Sequence, residues 1–271
     1  MEGEMHPILI KIGPLTIHTY GFLLAVGVLC GIMVSLNLAK RAGLDTRLMS
    51  DFIFFSVLIG LVGAKIWLFV TEIDYYMADT GRIPSLLTAA GTFYGGLIFG
   101  LLFVIWFVRR KKLDMKIVGD TLAPGVALAH FFGRLGCFFA GCCWGREALD
   151  SPIAVRFSDP NCSTDLDFRN VPVYPVQLIE SLLNLLNFIV LFVLFKKKKY
   201  DGQVFALYMF NYSIIRFIVE YFRGDNDRGY ILGGVSHPFS SISVPQVVSI
   251  IGVTIAIILF IKFRKSSKRE A

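Results

Sequence analysis

Apolar residues in this chain gather into long unbroken runs rather than into alternating or heptad stripes. Seven runs approach the roughly 20 residues that an α-helix needs to cross a hydrocarbon core of about 30 Å. They are Tyr20–Ala39, Phe52–Thr71, Phe93–Val108, Ile117–Gly136, Val176–Phe195, Gln203–Phe222 and Val244–Phe263. The third is short unless it begins near Leu86. The polar stretches between the runs alternate in character. Lys40, Arg41 and Arg47 follow the first run, Arg109 to Lys112 and Lys116 the third, Lys196 to Lys199 the fifth, and Lys262 to Arg269 the seventh. The intervening connections are poor in lysine and arginine for their length. Basic connections stay on the cytoplasmic side. The pattern therefore predicts an all-α integral membrane protein. It is a single domain over 1–271, a bundle of seven transmembrane helices, with the N-terminus outside and the C-terminus cytoplasmic. The longest external connection, 141–175, carries turn residues (Asp150, Ser151, Pro152, Asp159, Pro160, Asn161) and is expected to form a small cap, with Ile153–Phe157 as a short strand.

Composition agrees with that reading. The chain has 271 residues, 55% of them hydrophobic and 17% charged, against about 25% charged in ordinary soluble domains. Formal net charge is 27 − 20 = +7. Because the basic residues sit at the ends of apolar runs, this excess is a topology signal, and no nucleic-acid partner is expected. No cleavable signal pattern precedes the first run: Met1–Leu15 starts acidic and lacks a basic region before an apolar one.

Charges inside the runs carry the chemistry, because an ionisable group at membrane depth is expensive and marks function by default. Arg134 closes the fourth run. Arg216, Glu220 and Arg223 follow one another at i, i+4 and i+7 in the sixth, a spacing that puts them on one helix face. The alternative is an intramembrane salt bridge that holds the bundle together; against it, three arginines to one glutamate leave excess positive charge toward the outer leaflet. Guanidinium forks suit phosphate oxygens, so the pattern points to a lipid phosphate. Gln177 and Glu180 open the fifth run, where Glu180 suits a helix N-terminus and is also a partner for an arginine. Tyr20 and Tyr94 open the first and third runs at the outer interface. Lys65, inside the second run, reads as structural, either snorkelling or paired with Asp51 or Glu72. His130 precedes Arg134 by four residues on the same face.

Three of the five cysteines, Cys137, Cys142 and Cys143, lie within seven residues, and Cys162 lies in the same connection. Four residues followed by adjacent cysteines is not a usual metal spacing, so no metal site and no cofactor is expected. Outside the membrane the default is one or two disulfides, for example Cys142 or Cys143 to Cys162. Sequence does not choose the pairing.

GRLGCFFAGCCWG, residues 133–145, resembles the signature of bacterial prolipoprotein diacylglyceryl transferases, G-R-x-G-N-F-x-N-x-E-x-x-G, through Gly133, Arg134, Gly136, Phe138 and Gly145. Further resemblances follow in the family's order: Tyr20-Gly21, Tyr94-Gly95-Gly96-Leu97-Ile98, Tyr174-Pro175-Val176-Gln177-Leu178-Ile179-Glu180, the Arg216/Glu220/Arg223 set, and Ser243-Val244-Pro245-Gln246. There are departures. Cys137 and Ala140 stand where the signature has asparagine, and Cys142 where it has an acid. Tyr94 and Tyr174 stand where the family's motifs have histidine.

The resemblance implies transfer of the diacylglyceryl group from phosphatidylglycerol to the lipobox cysteine thiol of secreted prolipoproteins. Glycerol 1-phosphate would leave, in the bacterial plasma (inner) membrane. The alternatives are a divergent lipid transferase with another acceptor, or a membrane lipid-binding or thiol-redox protein without transferase activity. On the main reading Arg134, Arg216, Glu220 and Tyr94 are the candidate catalytic residues. Arg134, Arg223, Tyr20, Gly95, Gly96, Gln177 and Glu180 are the candidate substrate-binding residues. The base that takes the thiol proton is open among Tyr94, Glu220, Glu180 and water.

Overall fold

A computed structural model describes residues 6–13, 15–87, 89, 91–225, 229–233 and 241–270. Each of the seven apolar runs is helical. The elements in chain order are β1 (Ile8–Ile12), β2 (Leu15–His18), α1 (Thr19–Arg41), α2 (Thr46–Thr71), α3 (Ile73–Ala78), α4 (Phe93–Arg110), α5 (Met115–Ala140), α6 (Val176–Lys197), α7 (Gln203–Glu220), β3 (Tyr230–Leu232), β4 (Ile242–Ser243) and α8 (Val244–Glu270). Among the described residues, five helices, α1, α2, α5, α6 and α8, are long and apolar enough to cross a membrane. The chain is thus a mostly helical, multi-pass membrane protein. α4 and α7 have 18 residues each, and α7 is diluted by Asn211, Ser213, Arg216 and Glu220. The two short antiparallel hairpins, β1–β2 and β3–β4, depart from a purely helical expectation.

The chain divides into two compact units. One, Leu36–Val118, is built on α2 against α4. A Cβ on Gly63 would stand 2.4 Å from the Cβ of Phe99, and one on Gly95 2.3 Å from the Cβ of Trp67, so small residues let the two helices touch. Phe52 and Phe107 add a ring contact at 5.0 Å. Lys65 donates to the carbonyls of Leu87 and Ala89, closing the end of the connection. That settles its role as structural, with backbone partners rather than Asp51 or Glu72.

The other unit, Met1–Ser35 with Gly119–Ala271, holds the charged helices. α1 lies against α5 through Gly27, Gly31 and Gly125; a Cβ on Gly31 would meet the Gly125 carbonyl oxygen at 2.8 Å. Inside an apolar surround, buried polar groups pair with one another. Ser181 of α6 donates to the Phe131 carbonyl of α5 (2.9 Å), and Asn211 of α7 donates to Asn187 of α6 (2.9 Å). At the far end of α5, the fully buried Asp120 accepts from Lys198 (2.9 Å) and from the backbone N–H groups of Gly202 and Phe205 (both 2.9 Å). It thereby satisfies the first turn of α7, whose N-cap glycine has no side chain to do so.

The 141–175 connection folds on itself around Trp144, Val155, Phe157, Cys162 and Val173. The stretch expected as a strand makes a single bridge, Val155 to Val173.

Candidate functional site

The signature segment ends α5 and then doubles back. Gly141 has φ 68° and Cys143, unusually for a residue with a side chain, φ 60°. Beyond them the chain runs beside the end of α7. Arg146 N–H donates to the Phe222 carbonyl (2.8 Å), Gly224 N–H to the Trp144 carbonyl (3.0 Å), and Gly145 bridges Arg223. There is no room for a side chain at this crossing. A Cβ on Gly145 would lie 2.3 Å from the Tyr174 carbonyl oxygen. The pairing also explains a correction to the i, i+4, i+7 reading. α7 stops at Glu220, and Arg223 leaves the helix to join the returning strand-like segment.

The charges were expected to be unbalanced, and they are not. Glu180 Oε1 lies 3.0 Å from Arg134 Nε, and Glu220 Oε2 lies 2.7 Å from Arg216 Nη1. Arg223 holds Asp225 in a two-pronged grip, one prong being Nε to Oδ1 at 2.9 Å. Each of the three arginines therefore has its own carboxylate, so the argument from excess positive charge does not stand. Sequence reasoning missed Asp225. Its signal was an acid two residues after an arginine in a turn, where a side chain can fold back. Glu180 and Glu220 are nearly inaccessible, whereas Arg134 keeps a fifth of its side chain exposed. A guanidinium has five N–H donors and one carboxylate takes at most two, so the Arg134 and Arg216 pairs leave donors for a further oxyanion.

Aromatic groups complete the cluster. Tyr212 lies within electrostatic range of Arg134, Arg216 and Glu180, beside both ion pairs. His130 packs against Tyr212 with ring centroids 4.9 Å apart and planes tilted by 33°, and meets the Tyr208 hydroxyl at 3.4 Å. Tyr20 of α1 lies against Gly136 of α5, where a Cβ would stand 3.1 Å from its ring. Gln177, almost fully buried, donates to the Cys142 carbonyl (2.9 Å), while its own carbonyl oxygen has no hydrogen-bond partner among the described residues.

Among the predicted residues, Arg134, Arg216, Glu220, Arg223, Tyr20, Gln177 and Glu180 all belong to this one unit. Tyr94, Gly95 and Gly96 belong to the other, Leu36–Val118, where Gly95 and Gly96 face α2.

All five cysteines are free thiols. Cys162 is not bridged to Cys142 or Cys143, because it packs into the apolar centre of the cap. Burial there, with Asp159 nearby, raises its pKa. Cys137, Cys142 and Cys143 bring their sulfurs within 4.8 Å of one another. The neighbouring Cys137 and Cys142 thiols, followed by the fields of Arg223 and Arg134, hold Cys143 well below the usual thiol range. The hydrogen bond with Cys137 pushes Cys142 in the opposite direction. Sequence spacing gave no notice of this convergence, because it depends on the two left-handed residues.

Known proteins resemble this chain along nearly its whole length. A family model described as prolipoprotein diacylglyceryl transferase matches residues 7–262. A Clostridium tetani protein named phosphatidylglycerol–prolipoprotein diacylglyceryl transferase is 30% identical over 263 residues, covering 96% of this chain and 100% of that protein. Proteins of the same name from Staphylococcus epidermidis (31% over 268 residues, 97% of this chain and 90% of that protein) and Staphylococcus haemolyticus (32% over 270 residues, 98% and 92%) are similarly related.

Proposed function

The chain belongs to the prolipoprotein diacylglyceryl transferase family, and from that membership we propose how its own residues serve the reaction. It is a transferase that moves the diacylglyceryl group of phosphatidylglycerol to a prolipoprotein. The acceptor is the lipobox cysteine thiol and the leaving group is glycerol 1-phosphate. Sulfur attacks the glyceryl carbon that carries the phosphate ester, the carbon–oxygen bond breaks, and its electron pair goes to the phosphate. A singly charged diester thus becomes a monoester carrying more negative charge. Stabilising charge that develops at the leaving group is the main task of the site.

The observation that carries this assignment is the set of three arginines, each paired with its own buried carboxylate. Glu180, Glu220 and Asp225 hold the guanidinium planes. The remaining N–H donors of Arg134 and Arg216 receive the phosphate oxygens, and the Arg223–Asp225 pair borders them. Preorganised donors need no rearrangement as the charge grows. Tyr20 and Gln177 border the lipid site, and Gln177 fixes the signature loop through Cys142. By resemblance, Tyr94 is a catalytic candidate and Gly95 and Gly96 are substrate-binding candidates, all on α4. Seven spans, with the N-terminus outside and the 141–175 cap over the site, put this chemistry at the outer face of the bacterial plasma membrane. The alternation of basic connections supports that orientation.

Purified protein in phosphatidylglycerol vesicles should add one diacylglyceryl mass to a lipobox peptide. Vesicles of phosphatidylethanolamine alone should give none. No mass gain with phosphatidylglycerol, or equal gain with Arg134→Ala, refutes the assignment.

A further inference from the structure

The reaction needs a thiolate, and none of the candidate bases in the arginine cluster is free of an ion pair: Glu180 and Glu220 are both engaged by arginines. The three thiols beside that cluster supply another route. We propose that Cys137, Cys142 and Cys143 form a three-thiolate site for a thiophilic metal ion, zinc foremost, whose open fourth position receives and deprotonates the acceptor cysteine. This rests on the transferase reading and deepens it.

The geometry fits. Zinc–sulfur bonds of about 2.3 Å put tetrahedral ligand sulfurs about 3.8 Å apart, and the three Sγ atoms already lie within 4.8 Å of one another. The convergence is built by the backbone. Cys137 lies on the last turn of α5, and the left-handed Gly141 and Cys143 fold the following residues back over it. The Cys142 carbonyl is fixed by Gln177, and the Cys142 thiol lies 3.7 Å from the Cys137 carbonyl. Three protein ligands with one open position is the arrangement of catalytic rather than structural zinc, and a thiol that coordinates zinc is deprotonated outright.

The site also lies where the reaction is. Cys137 follows Arg134 by three residues on one face of α5, and Gly145, two residues past Cys143, bridges Arg223. Both arginines act electrostatically on Cys143. Zinc with three thiolates carries a charge of −1 and with the substrate thiolate −2, which these arginines offset. The step balances. The acceptor thiol releases its proton to water on binding. Its sulfur then forms the bond to the glyceryl carbon and becomes a neutral thioether, a poor ligand that departs. The phosphate takes the electron pair of the broken bond.

The full-length protein in detergent is depleted of metal with a chelator, reduced, and re-equilibrated with buffered zinc. One zinc per chain is expected, with X-ray absorption giving three sulfur neighbours and a fourth on addition of lipobox peptide without lipid. Transfer should fall at least 100-fold on depletion and return with zinc. The zinc-loaded rate should be level from pH 6 to 8, whereas the residual metal-free rate should rise about tenfold per pH unit below the free thiol pKa of about 8.5. Because depletion and reloading use the unaltered chain, the test does not depend on whether cysteine variants fold. Failure to bind one zinc, a disulfide among the three cysteines in the active protein, or full transfer without metal each overturns the inference and leaves the transferase assignment standing. A protein that binds zinc and gains the fourth sulfur but never transfers from phosphatidylglycerol sinks the transferase reading and leaves the metal site standing.

Discussion

Replacing Glu180 with glutamine tests whether the carboxylates hold the arginines. Glu180 is buried, and its Oε1 lies 3.0 Å from Arg134 Nε. Removing one partner of a fully buried pair costs roughly 3–5 kcal/mol, because the other charge is left uncompensated. Arg134 is not fully buried. A fifth of its side chain is exposed. Exposed pairs contribute only about 0–1 kcal/mol, so for Glu180→Gln we expect a loss of about 2–4 kcal/mol, between the two limits. Arg134→Gln should cost a similar amount by leaving Glu180 uncompensated. The double variant removes both charges and should be more stable than the sum of the single losses by about 2–3 kcal/mol. Equilibrium unfolding in mixed micelles reads all four proteins. Strictly additive losses would refute the ion-pair account, and transfer by the double variant at the normal rate would refute the role of Arg134.

Three other outcomes follow from particular contacts. Asp120→Asn removes the charge that organises Lys198 and the first turn of α7; thermal unfolding should show a loss of about 2–4 kcal/mol, with kcat per folded molecule unchanged. Gly145→Ala should displace the cap and lower transfer at least tenfold, because its Cβ would meet the Tyr174 carbonyl oxygen at 2.3 Å. Gly133→Ala, in the same signature but with nothing within 4 Å, should leave stability unchanged or raise it by up to about 1 kcal/mol; equal effects of the two would contradict the packing argument. Cys162 has a pKa raised by burial, so the folded chain keeps this thiol protonated above the pH at which an unfolded thiol ionises. The associated stabilisation is present below the unfolded pKa and is lost as pH rises through the folded one. Iodoacetamide should therefore label Cys162 more slowly in the folded than in the unfolded protein at mildly alkaline pH, and equal rates would contradict its burial.

The helices and the arginines were legible in the sequence for a physical reason. A helix that spans a bilayer must be apolar along its length, so its limits and any charge inside it stand out. The i, i+4 relation of Arg216 and Glu220 became the observed ion pair. Features that depend on chain reversal were not legible. Arg223 continued the helical spacing on paper, yet α7 ends before it because the cap pairs with Phe222 and Gly224. The same pairing brings Asp225 into the site and cancels the charge excess inferred from counting. Asp120, an acid inside the fourth apolar run, was passed over, and its role as the cap of a helix more than 80 residues later has no local signal. The cysteine convergence needed two left-handed residues that residue spacing does not reveal.

The central claim is that the carboxylate-paired arginines stabilise the departing phosphate. Single-turnover release of glycerol 1-phosphate from vesicle-bound phosphatidylglycerol, compared between the unaltered chain and Arg134→Gln, tests it most directly. Loss of one preorganised donor at a developing anion costs about 10²–10³ in rate. The account predicts a fall of that size in the chemical step with a much smaller change in lipid affinity. An unchanged single-turnover rate in folded Arg134→Gln protein would contradict it.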